Sequence, residues 1–207
     1  MDNVDKQLVT LLQEDGRKSL SEIGKKLDMS HVAVSKRLDK LVKAEKTVHV
    51  TAGVNAEKLD VKLLFMGLEV DNIEVAERIK EKYEHCPRLL MLAPVTGSYN
   101  LIAIMAAQDT WSLQSIVGTC SMRTEPGVRR SESWFGNAPI VPTFLQLDLA
   151  PKSSNGTKAP CKADCGTCKR YLDEKCVGCP PTSVYRGELW SSPLTQRKRR
   201  GKSRRKS

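Results

Sequence analysis

The chain has 207 residues, 40% of them hydrophobic and 28% charged, which fits two small globular domains and an additional segment. No stretch approaches the ~20 apolar residues that a membrane span needs, and the N-terminus lacks the features of a secretion signal, so we expect a cytoplasmic protein that does not bind membranes. The net charge of +10 is unevenly distributed, because residues 197–207 hold eight Lys or Arg and no acid. Residues 1–196 therefore carry only +2, and nucleic-acid binding by them requires a local patch.

Three short helices are predicted between Asp2 and Lys43. Ser21 is placed to cap the second helix and Ser30 the third, since an N-cap serine accepts a hydrogen bond from the first turn. Two helices joined by a short turn, the second basic on its free face, are typical of the helix-turn-helix, whose second helix enters the major groove of DNA. Apolar residues recur at helical spacing in all three helices: Val4, Leu8, Leu11 and Leu12, then Ile23 and Leu27, then Val34, Leu38 and Leu41.

The third helix and its cap supply the candidate contacts to double-stranded DNA. His31, Val32 and Ser35 are candidates for contacts to base edges, and Lys36 and Lys40 for contacts to phosphates. Arg37 is a further phosphate candidate, with a bracing contact inside the domain as its alternative. A merely solvated charged face is the other interpretation of this helix. The complete candidate set is Ser30, His31, Val32, Ser35, Lys36, Arg37 and Lys40.

Short motifs within this segment resemble a known family. They are DKQLVTLL at 5–12, EDGR at 14–17, LSEI at 20–23, SKRL at 35–38 and VNAEKL at 54–59. These motifs resemble the DNA-binding half of the Lrp/AsnC family of transcriptional regulators. The resemblance implies a winged helix-turn-helix over residues 1–60, in a dimer that places two recognition helices about one turn of DNA apart.

Asp28 stands in the turn of the helix-turn-helix, where the family often has Gly. Asp tolerates the left-handed conformation, so we expect the turn to form. After the third helix the sequence also departs from the family pattern, and residues 44–48 predict a longer or differently bent entry to the wing hairpin.

Residues 61–150 alternate between strand and helix patterns. Apolar runs at 63–70, 88–95, 101–107 and 128–134 predict strands, and helices are predicted from Ile73 and from a cap at Thr110. The order βαββαβ is that of a ferredoxin-like domain, so the predicted fold class is α+β. The resemblance implies that this is the family's regulatory domain, which dimerises through its sheets and binds small effectors such as amino acids.

The loop between the second and third strands is where the resemblance places the effector site, at Gly97, Ser98, Tyr99 and Asn100. Gly97 allows a ligand to approach the backbone N–H groups. Asn100 stands where relatives commonly have Asp, and an amide can hydrogen-bond an amino group but cannot form an ion pair with it. The alternative is a hairpin turn in which Gly and Asn supply positive φ angles.

Residues 161–195 contain five of the seven cysteines, in the pattern C-x3-C-x2-C-x7-C-x2-C, after a polar linker at 151–160. Paired C-x2-C motifs are typical of zinc sites. We expect a small module held by structural zinc, with Cys161 as a spare thiol that can replace one ligand. The four expected zinc ligands are Cys165, Cys168, Cys176 and Cys179.

An iron–sulfur cluster is the alternative, because the first three cysteines of the pattern and the pair Cys179–Pro180 resemble cluster-binding sequences. Glycines inside the two knuckles, Gly166 and Gly178, are expected to take positive φ. The other two cysteines, Cys86 and Cys120, are isolated in the sequence and are interpreted as small core residues.

The sequence thus predicts a sequence-specific DNA-binding regulator that is not an enzyme and acts as a homodimer or larger assembly. The basic tail at 196–207 is expected to be disordered and to add affinity for phosphate without selecting a site. Two alternatives stay open. One is an enzyme similar to the sirohaem decarboxylases, which use the same two domains, and the other is an architectural protein that coats DNA.

Overall fold

The computed structural model describes residues 1–120, 122–154 and 156–190, and the chain divides into two compact units at Ala52 and Gly53. The predictions made for the basic tail concern residues outside the described part of the chain. No helix in the described ranges is long and apolar enough to cross a bilayer.

The first unit contains three helices, α1 (Asn3–Glu14), α2 (Leu20–Leu27) and α3 (His31–Asp39). A single π-helical turn, Lys40–Ala44, continues α3. Each helix contributes one fully buried side chain to the core of this unit, and these are Leu8, Ile23 and Val34. The three helices predicted from apolar spacing are confirmed, because those positions are the ones that meet in the core.

The N-cap of α2 is Ser19, so the prediction of Ser21 was wrong. Ser19 Oγ accepts a hydrogen bond of 3.2 Å from the Glu22 N–H, and the Glu22 carboxylate accepts one of 2.8 Å from the Ser19 N–H. This reciprocal capping box satisfies the N–H groups of both residues, which Ser21 inside the first turn cannot do. Asp28 follows α2 with φ of 52°, the left-handed conformation expected for the turn.

Residues 45–53 form no strand, so the expected wing hairpin is not formed there. Lys46 has φ of 51°, and the N–H groups of Thr47 and Val48 both point to the Leu41 carbonyl, at 3.0 and 3.4 Å. The chain therefore folds back onto the end of the helical run, and these donors are used there rather than in a hairpin. The next strand, β1 (Val54–Asn55), pairs with β6 (Phe144–Leu145).

The second unit is built on a four-stranded antiparallel sheet, in which the strands lie side by side in the order β3 (Leu89–Pro94), β4 (Leu101–Ala107), β2 (Lys62–Val70) and β5 (Val128–Gly136). The observed chain order confirms the predicted βαββαβ pattern. Its elements are β2 (Lys62–Val70), α4 (Ile73–Tyr83), β3 (Leu89–Pro94), β4 (Leu101–Ala107), α5 (Thr110–Gly118) and β5 (Val128–Gly136). The cap of α5 is Asp109 rather than Thr110, since the Asp109 carboxylate accepts a hydrogen bond of 2.6 Å from the Ser112 N–H.

The sheet separates two apolar clusters, as alternation along a strand requires. Leu64, Met66 and Met105 point to the side where α4 and α5 pack, and they share a cluster with Ile79 and Leu113. Residues of the opposite parity, Leu63 and Ala106, form a second cluster on the other side, and Trp190 packs against it.

The segment after the sheet packs onto the second unit. Ala159 is buried in the cluster beneath α4 and α5, and Ser154 donates a backbone hydrogen bond of 2.7 Å to the Pro181 carbonyl. A short helix, α6 (Lys169–Leu172), lies within this segment, and Tyr171 on it is buried. The cysteine-rich segment is thus held against the ferredoxin-like sheet and its helices.

Candidate DNA-binding helix and cysteine cavity

Helix α3 is positioned by its cap and by its buried face. Ser30 Oγ accepts a hydrogen bond of 3.2 Å from the Ala33 N–H, which satisfies one of the free donors at the start of the helix. Val34 is fully buried, and Leu38 packs beside it. The opposite face of α3 is therefore directed outward.

Arg37 connects α3 to α1. Its Nη1 atom donates hydrogen bonds of 2.7 Å to Asp2 Oδ2 and to Asp5 Oδ1. The pKa of each carboxyl is lowered, first by the backbone N–H of the other aspartate and second by the Arg37 guanidinium. Of the two roles considered for Arg37, this geometry supports the bracing contact.

The remaining candidates on α3 and on the π-helical turn that continues it are exposed to different degrees. His31, Val32 and Lys36 are exposed, whereas Ser35 is half-buried. Lys40 is exposed but forms an ion pair of 3.1 Å with Glu45. The exposed surface of α3 therefore carries a histidine, an apolar side chain and a lysine, a mixture suited to both base and phosphate contacts.

The candidate effector loop follows β3, and two of its side chains form hydrogen bonds with neighbouring strands. Asn100 uses its amide on the backbone of β2, where Oδ1 accepts from the Val70 N–H at 2.7 Å and Nδ2 donates to the Val70 carbonyl at 2.8 Å. Tyr99 donates to Glu132 at 2.7 Å, and Gly97 has φ of 143°. Gly97 and Ser98 remain exposed.

All seven cysteines line one cavity of about 240 Å³, and all are free thiols. Cys86 follows α4 and Cys120 follows α5, so two of the thiols come from the ferredoxin-like domain. The other five come from the C-terminal segment: Cys161, Cys165, Cys168, Cys176 and Cys179. The interpretation of Cys86 and Cys120 as isolated core residues missed this shared cavity, because no spacing in the sequence relates them to the C-terminal pattern.

Within residues 1–120, 122–154 and 156–190, no group of three His, Cys, Asp or Glu side chains is placed to hold one metal ion. Gly178, inside the second knuckle, takes φ of 86° as expected, whereas Gly166 in the first knuckle does not have positive φ. A Cβ at position 166 would instead lie 2.9 Å from Thr157 Cγ2, which accounts for glycine there.

The cavity is apolar, and burial raises the pKa of several of its thiols. The pKa of Cys120 is raised to about 12, mainly by burial and next by the charge of Cys161, Cys165 and Cys176. Burial also raises the pKa of Cys86 and of Cys179. The charge of C-terminal thiols thus contributes to the raised pKa of Cys120, which belongs to the ferredoxin-like domain.

Arg88 is a charged group in the wall of the cavity, and only 4% of it is exposed. Its Nη2 atom donates a hydrogen bond of 2.9 Å to the Gly178 carbonyl, and its guanidinium lies 4.8 Å from the ring centroid of Trp190. In the described part of the chain, no carboxylate forms an ion pair with Arg88. The buried guanidinium beside the thiols thus contacts the carbonyls of Gly178 and Ala106 and an aromatic ring.

Residues 1–42 match the family model of the AsnC-type helix-turn-helix domain. The HTH-type transcriptional regulator LrpA of Pyrococcus horikoshii is 31% identical over 121 residues, which cover 56% of this chain and 83% of that protein. The chain belongs to the Lrp/AsnC family. It is a DNA-binding transcription regulator.

Solved structures show the same fold as this Lrp/AsnC regulator. The leucine response regulatory protein LrpA of Mycobacterium tuberculosis has a TM-score of 0.59 at 21% identity, over 71% of this chain and 99% of that chain. A transcriptional regulator of Neisseria meningitidis in complex with L-Met has a TM-score of 0.55 at 20% identity, over 66% of this chain and 89% of that chain. At least 29% of the Lrp/AsnC regulator described here lies outside each of these two alignments.

Proposed function

We propose that this Lrp/AsnC regulator recognises specific DNA sites by inserting α3 into the major groove. The observation that carries the proposal is that one face of α3 is fixed to the rest of the first unit while the opposite face is exposed. Arg37 ties it to Asp2 and Asp5, while His31 and Lys36 project from the free face. A side chain presented on a helix that is already fixed loses little freedom on binding, which favours readout of base edges.

The proposed roles on α3 follow from the chemistry of each exposed side chain. His31 and Ser35 can hydrogen-bond base edges, and Val32 can contact a thymine methyl group. Lys36 and Lys40 are assigned to phosphates, where their charge adds affinity without sequence information. Arg37 is assigned a positioning role.

The test is a titration of the full chain with duplex DNA at several salt concentrations. Lys36→Ala/Lys40→Ala should weaken binding on all sequences and reduce the salt slope by roughly 2, since each lost phosphate contact removes about 0.9. The matched control, Lys58→Ala/Lys80→Ala, removes two exposed charges outside the first unit. Equal affinity of wild type and the α3 double variant would refute the proposed groove contact.

A second titration addresses site choice. His31→Ala should change which sequences are selected from a random duplex library, because it removes a contact to a base edge. A protein that coats DNA would instead be displaced equally by all competitor sequences, and His31→Ala would not change which sequences are selected from the library.

We propose that the regulator is a homodimer formed through the sheet face opposite α4 and α5, beside the cluster that Trp190 covers. Phe65 lies opposite both Ile104 and Trp134 in the sheet register, and Met91 lies opposite Ile104 from the other side. Phe65 and Ile104 are half-buried, while Trp134 and Met91 are 44% and 42% exposed. A contiguous apolar area of this kind on a sheet marks an interaction surface, and a two-fold axis lets one such surface cover its own copy.

We propose that a small amino acid modulates the regulator at the loop of Gly97 and Ser98. Support comes from the exposure of these two residues and from the related Neisseria protein solved with L-Met. The Asn100 amide is engaged with Val70 and the Ser98 carbonyl with Arg130, so we assign ligand binding to the backbone N–H groups of Gly97 and Ser98. L-methionine and other amino acids should raise the melting temperature, and Gly97→Val should abolish the shift while Gly118→Val keeps it.

We also propose that the C-terminal cysteines bind a metal through thiolates. Cys165, Cys168, Cys176 and Cys179 are the proposed ligands and Cys161 is the spare thiol; the paired C-x2-C spacing is typical of zinc, and an iron–sulfur cluster is the alternative. Metal analysis of the purified full chain, compared with Cys165→Ala, tests this assignment. Loss of metal in the variant supports it, and wild-type protein without bound metal refutes it.

A further inference from the structure

The cysteine cavity joins two parts of the chain that are distant in sequence. Cys86 lies just after the end of α4, and its N–H donates a hydrogen bond of 2.8 Å to the Tyr83 carbonyl. Cys120 leaves the end of α5, and its N–H points to the Ser115 carbonyl at 3.3 Å. Both thiols line the same cavity as the five C-terminal thiols, so the domain itself brings ligand-forming groups to the site.

The size of the cavity indicates what it can hold. A single zinc ion with Zn–S bonds of ~2.3 Å draws its sulfurs into one tight tetrahedron. Here the thiols surround about 240 Å³, and no three of the described ligand-type side chains converge on a single ion position. Since an apolar cavity of ~150 Å³ already accepts a benzene molecule, this ring of sulfurs fits a group of several atoms.

Two charged side chains line the cavity, Arg88 and the half-buried Asp164, and Arg88 is the more deeply buried of the two. Arg88 is buried in the wall, bound to the Gly178 carbonyl and stacked on Trp190. A buried cation is stabilised by a negative partner, and in the described ranges none is supplied by a carboxylate ion pair. A metal centre with four thiolate ligands is negatively charged overall and would provide that partner.

The C-terminal segment is also fixed to the ferredoxin-like domain around the cavity by direct bonds. Arg170 donates from Nε to Ser115 Oγ at 2.7 Å, and the Ser115 hydroxyl has two alternative acceptors, the Lys175 carbonyl at 2.9 Å and the Trp111 carbonyl at 2.8 Å. These contacts hold the segment's cysteines over Cys120, which follows the same helix. Thiols from both parts therefore line one cavity, and these bonds hold the two parts together beside it.

We infer that the cavity binds an iron–sulfur cluster and that at least one of its thiolate ligands is Cys86 or Cys120. The inference rests on the metal binding proposed for the C-terminal segment and extends its ligand set into the regulatory domain. All-cysteine ligation is the usual donor set of such clusters. The cluster then ties the C-terminal segment to α4 and α5, and gain or loss of the cluster changes how the two parts are joined.

The test uses the full chain purified without oxygen, or reconstituted with ferrous iron and sulfide. Iron, acid-labile sulfide and zinc are measured in wild type, Cys86→Ala/Cys120→Ala and Cys165→Ala. Ile116→Val, which also alters the cavity wall but removes no thiol, is the control. The expected result is iron with equimolar sulfide in wild type and in the control, and at least a twofold loss of both in the double variant.

The outcomes separate the two proposals. Iron retained in Cys86→Ala/Cys120→Ala but lost in Cys165→Ala overturns the inference and leaves metal binding by the segment in place. Zinc without sulfide in wild type overturns the cluster assignment. Wild type without any metal refutes the proposed metal function itself.

Folding of each variant is checked by far-ultraviolet circular dichroism and by DNA binding. If the double variant fails that check, the single variants Cys86→Ala and Cys120→Ala are compared instead. Iron and sulfide contents equal to wild type in both single variants then overturn the inference.

Discussion

Arg37 on α3 donates a hydrogen bond of 2.7 Å to the carboxylate of Asp5 on α1. The Asp5 side chain is 7% exposed, so the pair lies at the edge of the core that joins the three helices. The contact fixes the position of α3 relative to α1. It links the stability of the first unit to the position of its DNA-binding surface.

Arg37→Ala should lower the melting temperature of the first unit, because Asp5 loses the charged donor that compensates its burial. Lys36→Ala removes the same charge from the exposed face of α3 and should leave the melting temperature unchanged. Thermal unfolding followed by circular dichroism compares the two variants. A melting temperature of Arg37→Ala equal to that of Lys36→Ala would show that the contact carries no stability.

Acid should destabilise the first unit through the same residues. The pKa values of Asp2 and Asp5 are lowered in the folded chain, so the stability they contribute is complete above the ordinary carboxyl pKa of 3.8. That contribution is lost as the pH falls through the lowered values. Unfolding midpoints measured between neutral pH and strongly acidic pH should fall less steeply in Asp5→Asn than in wild type, and parallel curves would contradict this account.

The capping box of α2 predicts different effects for two neighbouring serines. Ser19→Ala removes the acceptor for the Glu22 N–H and should destabilise the first unit by about 1 kcal/mol. Ser21→Ala changes an exposed residue inside the first turn and should have almost no effect. Urea unfolding of both variants measures the difference, and equal midpoints would argue against Ser19 as the cap.

The second knuckle of the cysteine segment should be sensitive to its backbone conformation. Gly178 has φ of 86°, and an added Cβ would lie 3.2 Å from the Val184 carbonyl oxygen. Gly178→Ala should therefore cost roughly 1–2 kcal/mol and lower the metal content. Gly156→Ala, where an added Cβ meets nothing within 4 Å, is the matched control. Full metal content in Gly178→Ala would show that the knuckle does not need this conformation.

Dimerisation through the sheet face opposite α4 and α5 predicts that Trp134→Glu yields a smaller particle in solution. Burying a carboxylate in an apolar interface is unfavourable unless the charge is paired. Trp111→Glu changes an exposed tryptophan on α5, away from that face, and should keep the wild-type mass. Light scattering after size-exclusion chromatography measures both, and a dimer that persists in Trp134→Glu would place the interface elsewhere.

The helices and strands could be predicted because their apolar positions are the ones that become buried. Leu8, Ile23 and Val34 show the helical period and meet in one core, and the run at 63–70 is β2 almost to the residue. The prediction of a wing hairpin was wrong for residues 45–53, where the N–H groups of Thr47 and Val48 point to the Leu41 carbonyl, a contact that no local sequence pattern marks. The choice between Ser19 and Ser21 required reading the partner Glu22 as well as the serine.

The candidate sites likewise include features that the sequence predicts and features that depend on packing. The exposed face of α3 follows from its period, whereas the partners of Arg37 are 32 and 35 positions away and are brought near by packing. Cys86 and Cys120 have no local pattern that marks them as ligands. Their relation to the C-terminal cysteines exists only in three dimensions, where the ends of α4 and α5 open into the same cavity.

Trp190 has a practical consequence for the design of shortened chains. Its side chain is 1% exposed and covers Leu63 and Ala106 on one side and Arg88 on the other. A chain cut ahead of Trp190 would uncover an apolar sheet face together with a buried cation, and we expect such a product to aggregate. Removal of the basic residues from the end of this protein should therefore begin beyond position 190.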